Sequence, residues 1–169
     1  IRDKGLVKTK NFKPFKYIGD PINAVRIFNE KEADELIVLD IDATTKGMDP
    51  DFLTIKKIAA ECRMPLCYGG GVKTVDHAEY IISLGVEKVA LNSIFSTSGF
   101  KVLESASKRV GSQSLVGVID YKRKNFFNNN NSVFTHKGKN DLKISPVDFA
   151  KKLEDSGAGE IFLNSIERE

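Results

Sequence analysis

Five short apolar runs, each ending in polar residues and each separated from the next by a stretch of helical spacing, leave this chain few possible folds. The runs cover residues 35–42 (ELIVLDID), 64–68 (MPLCY), 88–92 (KVALN), 115–120 (LVGVID) and 160–164 (EIFLN). Such runs do not alternate apolar with polar residues, so both faces are buried. Strands buried on both faces are parallel strands covered by helices. The helical spacing between them predicts helices over 22–30, 52–61, 75–84, 100–110 and 146–156. Asp20-Pro21 and Ser145-Pro146 read as a cap followed by a first-turn proline, and Gly85, Gly111 and Gly157 read as stops. Leu53, Ile55, Ile58 and Ala59 are expected on one face of the second helix, and Val147, Ala150 and Leu153 on one face of the last.

Repeated βα units allow an open doubly wound sheet or a (β/α)8 barrel. No GxGxxG follows any of the runs, which weakens the dinucleotide-binding sheet. Polar residues close the runs, with Asp40 and Asp42, Asn92 and Ser93, Asp120, and Asn164 and Ser165, while Gly69-Gly70-Gly71 closes the second. Several strands ending in polar groups favour a barrel, where many strands serve one site. The reading is therefore an α/β chain forming one barrel domain over 1–169, incomplete at both ends. It holds about the second through sixth strands and the loop after the first. Two segments break the rhythm. Residues 6–9 read as a short strand, and 11–17 as a loop on the active face. Residues 121–143, with the 128–131 asparagine run at their tip, read as an inserted β-hairpin. The sequon at Asn130-Asn131-Ser132 is taken as chance.

Composition excludes several classes. The 169 residues carry 26 basic and 23 acidic side chains, a net charge of +3 without long blocks of one sign, so no nucleic-acid partner is expected. No run of 18 apolar residues suggests a membrane span, and no apolar stretch follows the charged start as in a signal peptide. Two cysteines, Cys62 and Cys67, make no disulfide framework and point to a reducing, cytoplasmic setting. His77 and His136 have no partners at ligand spacing, so no metal and no cofactor are expected.

The chemistry lies at the strand ends. Asp120 closes a strand that no helix follows directly, so helix capping does not explain it. It is a candidate general acid or base. Asp40 is a second carboxylate at a strand end, with capping as the competing explanation. The glycines at 69–71 leave backbone amides open to an anion, and Asn92-Ser93 adds donors one unit later. Together they suit a phosphate. Lys8 could meet a phosphate or a developing negative charge. Glu35, Lys88 and Glu160 open three strands at the opposite end, where mixed charges could pair in a ring across a barrel floor.

Several segments in order resemble the cyclase (synthase) subunit of imidazole glycerol phosphate synthase over essentially all 169 residues. They are Gly5-Leu6-Val7-Lys8, Gly19-Asp20-Pro21, the run 35–41, Tyr68-Gly69-Gly70-Gly71-Val72, Lys88 through Ser93, Val118 through Arg123, and Gly157 through Glu160 running into Asn164-Ser165-Ile166-Glu167-Arg168. The resemblance implies a (β/α)8 barrel with a glutaminase (class I amidotransferase) subunit docked on its floor. Ammonia from that partner would rise through the barrel to a bisphosphorylated ribulosyl formimino-carboxamide, giving imidazole glycerol phosphate and an aminoimidazole carboxamide ribotide. On this resemblance Asp120 and Lys8 are catalytic. Gly70, Gly71, Asn92, Ser93, Asp40 and Ser165 hold substrate and its phosphate, and Glu35, Lys88 and Glu160 gate the floor. The family's other catalytic aspartate is expected just before Ile1, and its second phosphate site beyond Glu169.

The chain also departs from the family. Asn164 stands where a threonine is usual, and Glu167 and Glu169 where aspartates are usual. Thr9 follows Lys8 where glycine is usual. The Lys8-Thr9 pair and the asparagine-rich hairpin resemble a divergent branch that aminates surface-polysaccharide (lipopolysaccharide) sugars. A barrel that only docks the glutaminase is a third possibility.

Overall fold

The computed structural model describes residues 1–10, 13–97, 99–123 and 131–167. In chain order the elements are β1 (Leu6–Lys10), β2 (Lys13–Gly19), α1 (Pro21–Glu30), β3 (Leu36–Leu39), α2 (Phe52–Glu61), β4 (Leu66–Gly69), α3 (Val75–Ser83), β5 (Lys88–Leu91), α4 (Gly99–Val110), β6 (Leu115–Arg123), β7 (Asn131–Thr135), β8 (Asn140–Asp141), α5 (Pro146–Asp155) and β9 (Glu160–Ser165). Local chemistry starts the helices. Asp20 accepts from the Ile22 and Asn23 amides ahead of α1, with Pro21 in its first turn. Ser145 accepts from the Asp148 amide and donates back to the Asp148 carboxylate at 2.7 Å, pinning the start of α5.

β3, β4, β5, β6 and β9 pair in parallel, each with the next in sequence. A doubly wound sheet reverses its strand order at a switch point. No reversal occurs here, so the strands form a sector of a (β/α)8-barrel wall. β6 is the long member. Its residues 115–117 pair with β5 and its residues 116–121 with β9, on opposite edges. Beyond the end of β5, residues 120–123 pair antiparallel with β7, which pairs in turn with β8.

Strand parity divides the core in two. Leu66, Tyr68, Val89, Leu91, Leu115 and Ile119 pack outward among helix residues such as Ile55, Ile58, Ile81, Leu103 and Leu153. Cys67, Ala90, Val116 and Val118 form the inner layer, with Leu39 and Phe162 against them. The inward positions are therefore 88, 90 and 92 on β5, 116, 118 and 120 on β6, and 160, 162 and 164 on β9. Each of these three strands presents charge or small apolar residues low in the barrel and a polar residue at the top.

Three expectations need correction. The first run ends as a strand at Leu39, not at residue 42, because the Asp40 side chain accepts from the Asp42 and Ala43 amides and turns the chain. Residues 11–17 are not simply a loop, since Lys13–Gly19 is a strand pairing antiparallel with β1. Leu53 and Val147 do not join the apolar faces of their helices, being 61% and 64% exposed. The expected asparagine tip lies largely outside the described residues: 128–130 are not among them, and Asn131 opens β7.

One outward residue carries a polar burden. Tyr68 is fully buried and its hydroxyl has no hydrogen-bond partner among the described residues. Burial, then the carboxylates of Asp40 and Asp51, push its phenol well above its ordinary value. Removing an unsatisfied buried hydroxyl relieves a desolvation penalty of about 1–3 kcal/mol. Tyr68→Phe is therefore expected to hold or raise the melting temperature. A fall of several degrees would show that the hydroxyl is satisfied in solution.

Candidate active site at the strand C-termini

Three inward side chains meet at the top of the inner layer because register puts them level. Asp120 sits opposite Asn164 across the β6–β9 ladder. The Asn164 side-chain amide donates to Asp120 Oδ1 at 2.8 Å, and the Asn92 amide to Oδ2 at 3.3 Å. Asn92 also donates to the Val118 carbonyl at 3.1 Å and accepts from Ser93 Oγ. The Asn92 amide thus serves Asp120 and Val118, while its oxygen is taken by Ser93. Two amide donors are aimed at one nearly buried carboxylate. Lys122 turns elsewhere, donating to the Gly138 carbonyl and lying over the Phe134 ring.

A cavity of about 460 Å³ opens above this group. Its lining brings together Asp40, Gly70, Gly71, Asn92, Ser93 and Asp120 from four successive units. Asp40 lines it while its Oδ1 holds the turn after β3, so capping accounts for part of its chemistry. Ser93 opens a 3₁₀ turn over Ser93–Ser96. The Gly71 amide is 3.4 Å from Thr44 Oγ1, a long contact that an anion could replace. Two residues expected at the site are not on its wall. Lys8 lies exposed on the β1–β2 hairpin, and Ser165 is paired beside Tyr121 at the end of β9.

The structure adds groups that sequence reasoning passed over. Asn164 was noted as a polar strand end and as a departure from the usual threonine, but not as a partner of Asp120, which the β6–β9 register makes it. His136 and Lys137 reach the cavity wall from the β7–β8 turn. Lys137 donates to Asp42 Oδ1 at 2.5 Å. Asp42 is also 2.8 Å from Arg2 Nε and 3.0 Å from Lys46 Nζ. Burial works to raise the Asp42 carboxyl, but Lys137, Lys46 and Arg2 prevail and hold it below its ordinary value.

At the other end of the strands, Lys88 Nζ lies 2.6 Å from Glu160 and 3.1 Å from Glu35. The bond to Glu160, against partial burial and with help from Glu35, raises the Lys88 ammonium above its ordinary value. Cys67, above this group in the inner layer, is pushed up to about 12 by burial and the Glu35 charge. Such a thiol stays protonated and is a poor nucleophile. Among the described residues there is no group of side chains suited to a metal, and no helix is long and apolar enough to cross a membrane.

The family model for "Histidine biosynthesis protein" matches residues 1–169. The chain belongs to that family. Within the histidine biosynthesis proteins it is 53% identical over 169 residues to a Pseudomonas aeruginosa protein provisionally named imidazole glycerol phosphate synthase subunit hisF2. It is 51% identical to a Vibrio vulnificus protein provisionally named subunit hisF3 of the same enzyme. It is 37% identical to imidazole glycerol phosphate synthase subunit HisF of Metallosphaera sedula. All of this chain is covered in each case, against 66%, 64% and 66% of the respective relatives. The chain thus spans about two thirds of the length of the curated relatives it matches. Membership in this family agrees with the barrel-wall topology and with the resemblance read from the sequence.

Proposed function

We propose that this chain belongs to the cyclase subunit of a glutamine amidotransferase complex of the imidazole glycerol phosphate synthase type. The observation that carries the reading is the Asp120 carboxylate, held by Asn92 and Asn164 over a cavity whose other wall is the 69–71 glycines with Ser93. The glycine loop and Ser93 take one phosphate of a bisphosphorylated ribulosyl formimino-carboxamide. Ammonia released by a glutaminase subunit enters where Lys88 bridges Glu35 and Glu160 and travels past the small inner residues Cys67 and Ala90. Asp120 moves protons as ammonia adds and the imidazole ring closes. The products are imidazole glycerol phosphate and an aminoimidazole carboxamide ribotide. Lys8 joins this site only when the β1–β2 hairpin folds toward the cavity. The free thiols of Cys62 and Cys67 suit a cytoplasmic protein.

A second reading has its own support. Identity is higher to the proteins named hisF2 and hisF3 than to the HisF of Metallosphaera sedula, and Asn164 replaces the usual threonine beside Asp120. The same ammonia-delivering barrel would then serve amination of a surface-polysaccharide sugar.

The test uses the complete protein, ammonium salt and the bisphosphorylated ribulosyl substrate, with release of the aminoimidazole ribotide followed over time. Turnover on ammonium without the partner, and on glutamine only with it, is expected. A folded protein that binds a glutaminase but gives no product would overturn the cyclase reading. Product from an acceptor sugar under the same conditions would select the sugar branch, and none from either would leave docking as the role.

A further inference from the structure

Three cations surround the buried carboxylate of Asp42. Arg2 and Lys46 approach Oδ2, and Lys137 donates to Oδ1. Lys46 also pairs with Asp3 at 2.7 Å. The three cations are not equivalent in place. Lys137 lines the cavity, while neither Arg2 nor Lys46 is on its wall. Lys137 is held there by backbone that side chains seldom adopt, with φ of 53° at His136 and 60° at Lys137. If Lys137 leaves Asp42, Arg2 and Lys46 still compensate that carboxylate. Lys137 can then turn into the cavity it lines.

We propose that Lys137 is a specificity-determining residue that binds an anionic group of the substrate distinct from the phosphate at the glycine loop and Ser93. Asp42 holds Lys137, and an anion entering the cavity takes the place of Asp42. The ligand class is a phosphorylated small molecule carrying a second negative charge, either another phosphate or a carboxylate. This inference rests on the phosphate reading of the 69–71 loop and Ser93.

The test titrates the complete protein with three probes on one scaffold: glucose 1-phosphate, glucose 1,6-bisphosphate and glucuronic acid 1-phosphate. Wild-type protein is expected to favour one doubly anionic probe, and the favoured one tells phosphate from carboxylate. Lys137→Met keeps the apolar stem and leaves Asp42 with two cations. It should weaken the favoured probe about tenfold, as expected for losing one charge-assisted hydrogen bond, and leave glucose 1-phosphate within about twofold. Lys137→Arg should retain the preference. Asp42→Asn removes the competing carboxylate and should tighten the favoured probe. A strap that merely tied the turn down would instead be opened by either substitution, so both would weaken binding. Should Asp42→Asn not fold, the contrast of methionine with arginine at Lys137 still decides. An unchanged preference in Lys137→Met overturns the inference. If Ser93→Ala then still weakens glucose 1-phosphate, the phosphate reading survives alone. Wild-type protein that binds none of the probes, or has no preference among them, also overturns it, and the first of these outcomes removes the phosphate reading as well.

Discussion

Asp120→Asn in the complete protein is expected to lower the ammonia-dependent kcat by about 100-fold or more while barely moving the melting temperature. The rate effect follows from losing a positioned proton acceptor, typically worth about 10²–10⁴-fold. The stability expectation follows from its partners. In the native site both carboxylate oxygens accept, one from Asn92 and one from Asn164. An asparagine at 120 brings one donor face to face with one of these amides. Asn92 cannot turn over without losing its bond to the Val118 carbonyl. Asn164 can present its oxygen instead, so the clash is relieved by one amide flip. Melting and steady-state rates measured on the same variant decide the matter. Wild-type kcat would remove Asp120 from the chemistry, and a large loss of stability with intact kcat would make it a structural anchor.

Much of this architecture was legible because burial on both faces leaves a plain trace in sequence. The runs at 88–92, 115–120 and 160–164 contain only apolar residues between charged or polar ends, and they became β5, β6 and β9. Asp120 was legible for the same reason, as a carboxylate at the end of such a run. The first run misled, because Ile41 reads as one more strand position while Asp40 has already bent the chain through its own side chain. Leu53 and Val147 misled because spacing alone cannot tell a covered face from its margin. Lys137 was not legible at all. Its partner Asp42 is 95 residues away, and only the return of β7 along β6 brings the turn to the cavity. Asn164 lies between these cases. Parity on β6 and β9 makes Asp120 and Asn164 neighbours, but the relative register of two strands is a tertiary fact.

Replacing Gly70 is expected to damage the fold before it damages any anion site. Gly70 has a φ of +122°, which L side chains rarely adopt. A methyl group there would also strike the Asp40 backbone, crowding its carbonyl oxygen and lying 3.0 Å from its Cα and 2.8 Å from its Cβ. Neither neighbour can yield, since Asp40 is tied to the β4 end by its amide, which donates to the Gly69 carbonyl at 2.7 Å. Backbone strain and overpacking together place Gly70→Ala at about 3 kcal/mol of lost stability or more. Gly19→Ala is the internal control, because nothing lies within 4 Å of a methyl group at that position. It is expected to stay within about 1 kcal/mol of wild type. Urea unfolding of the two variants side by side measures the difference. Equal stabilities would mean that close approach to Asp40 does not require the glycine, leaving anion contact as its reason. If the expected gap is found, a glycine variant that fails to bind phosphate says nothing about phosphate recognition. Ser93→Ala then becomes the informative change. Among the described residues Ser93 Oγ makes one bond, at 3.3 Å to the Asn92 side chain, so its removal should spare the fold while weakening phosphate binding.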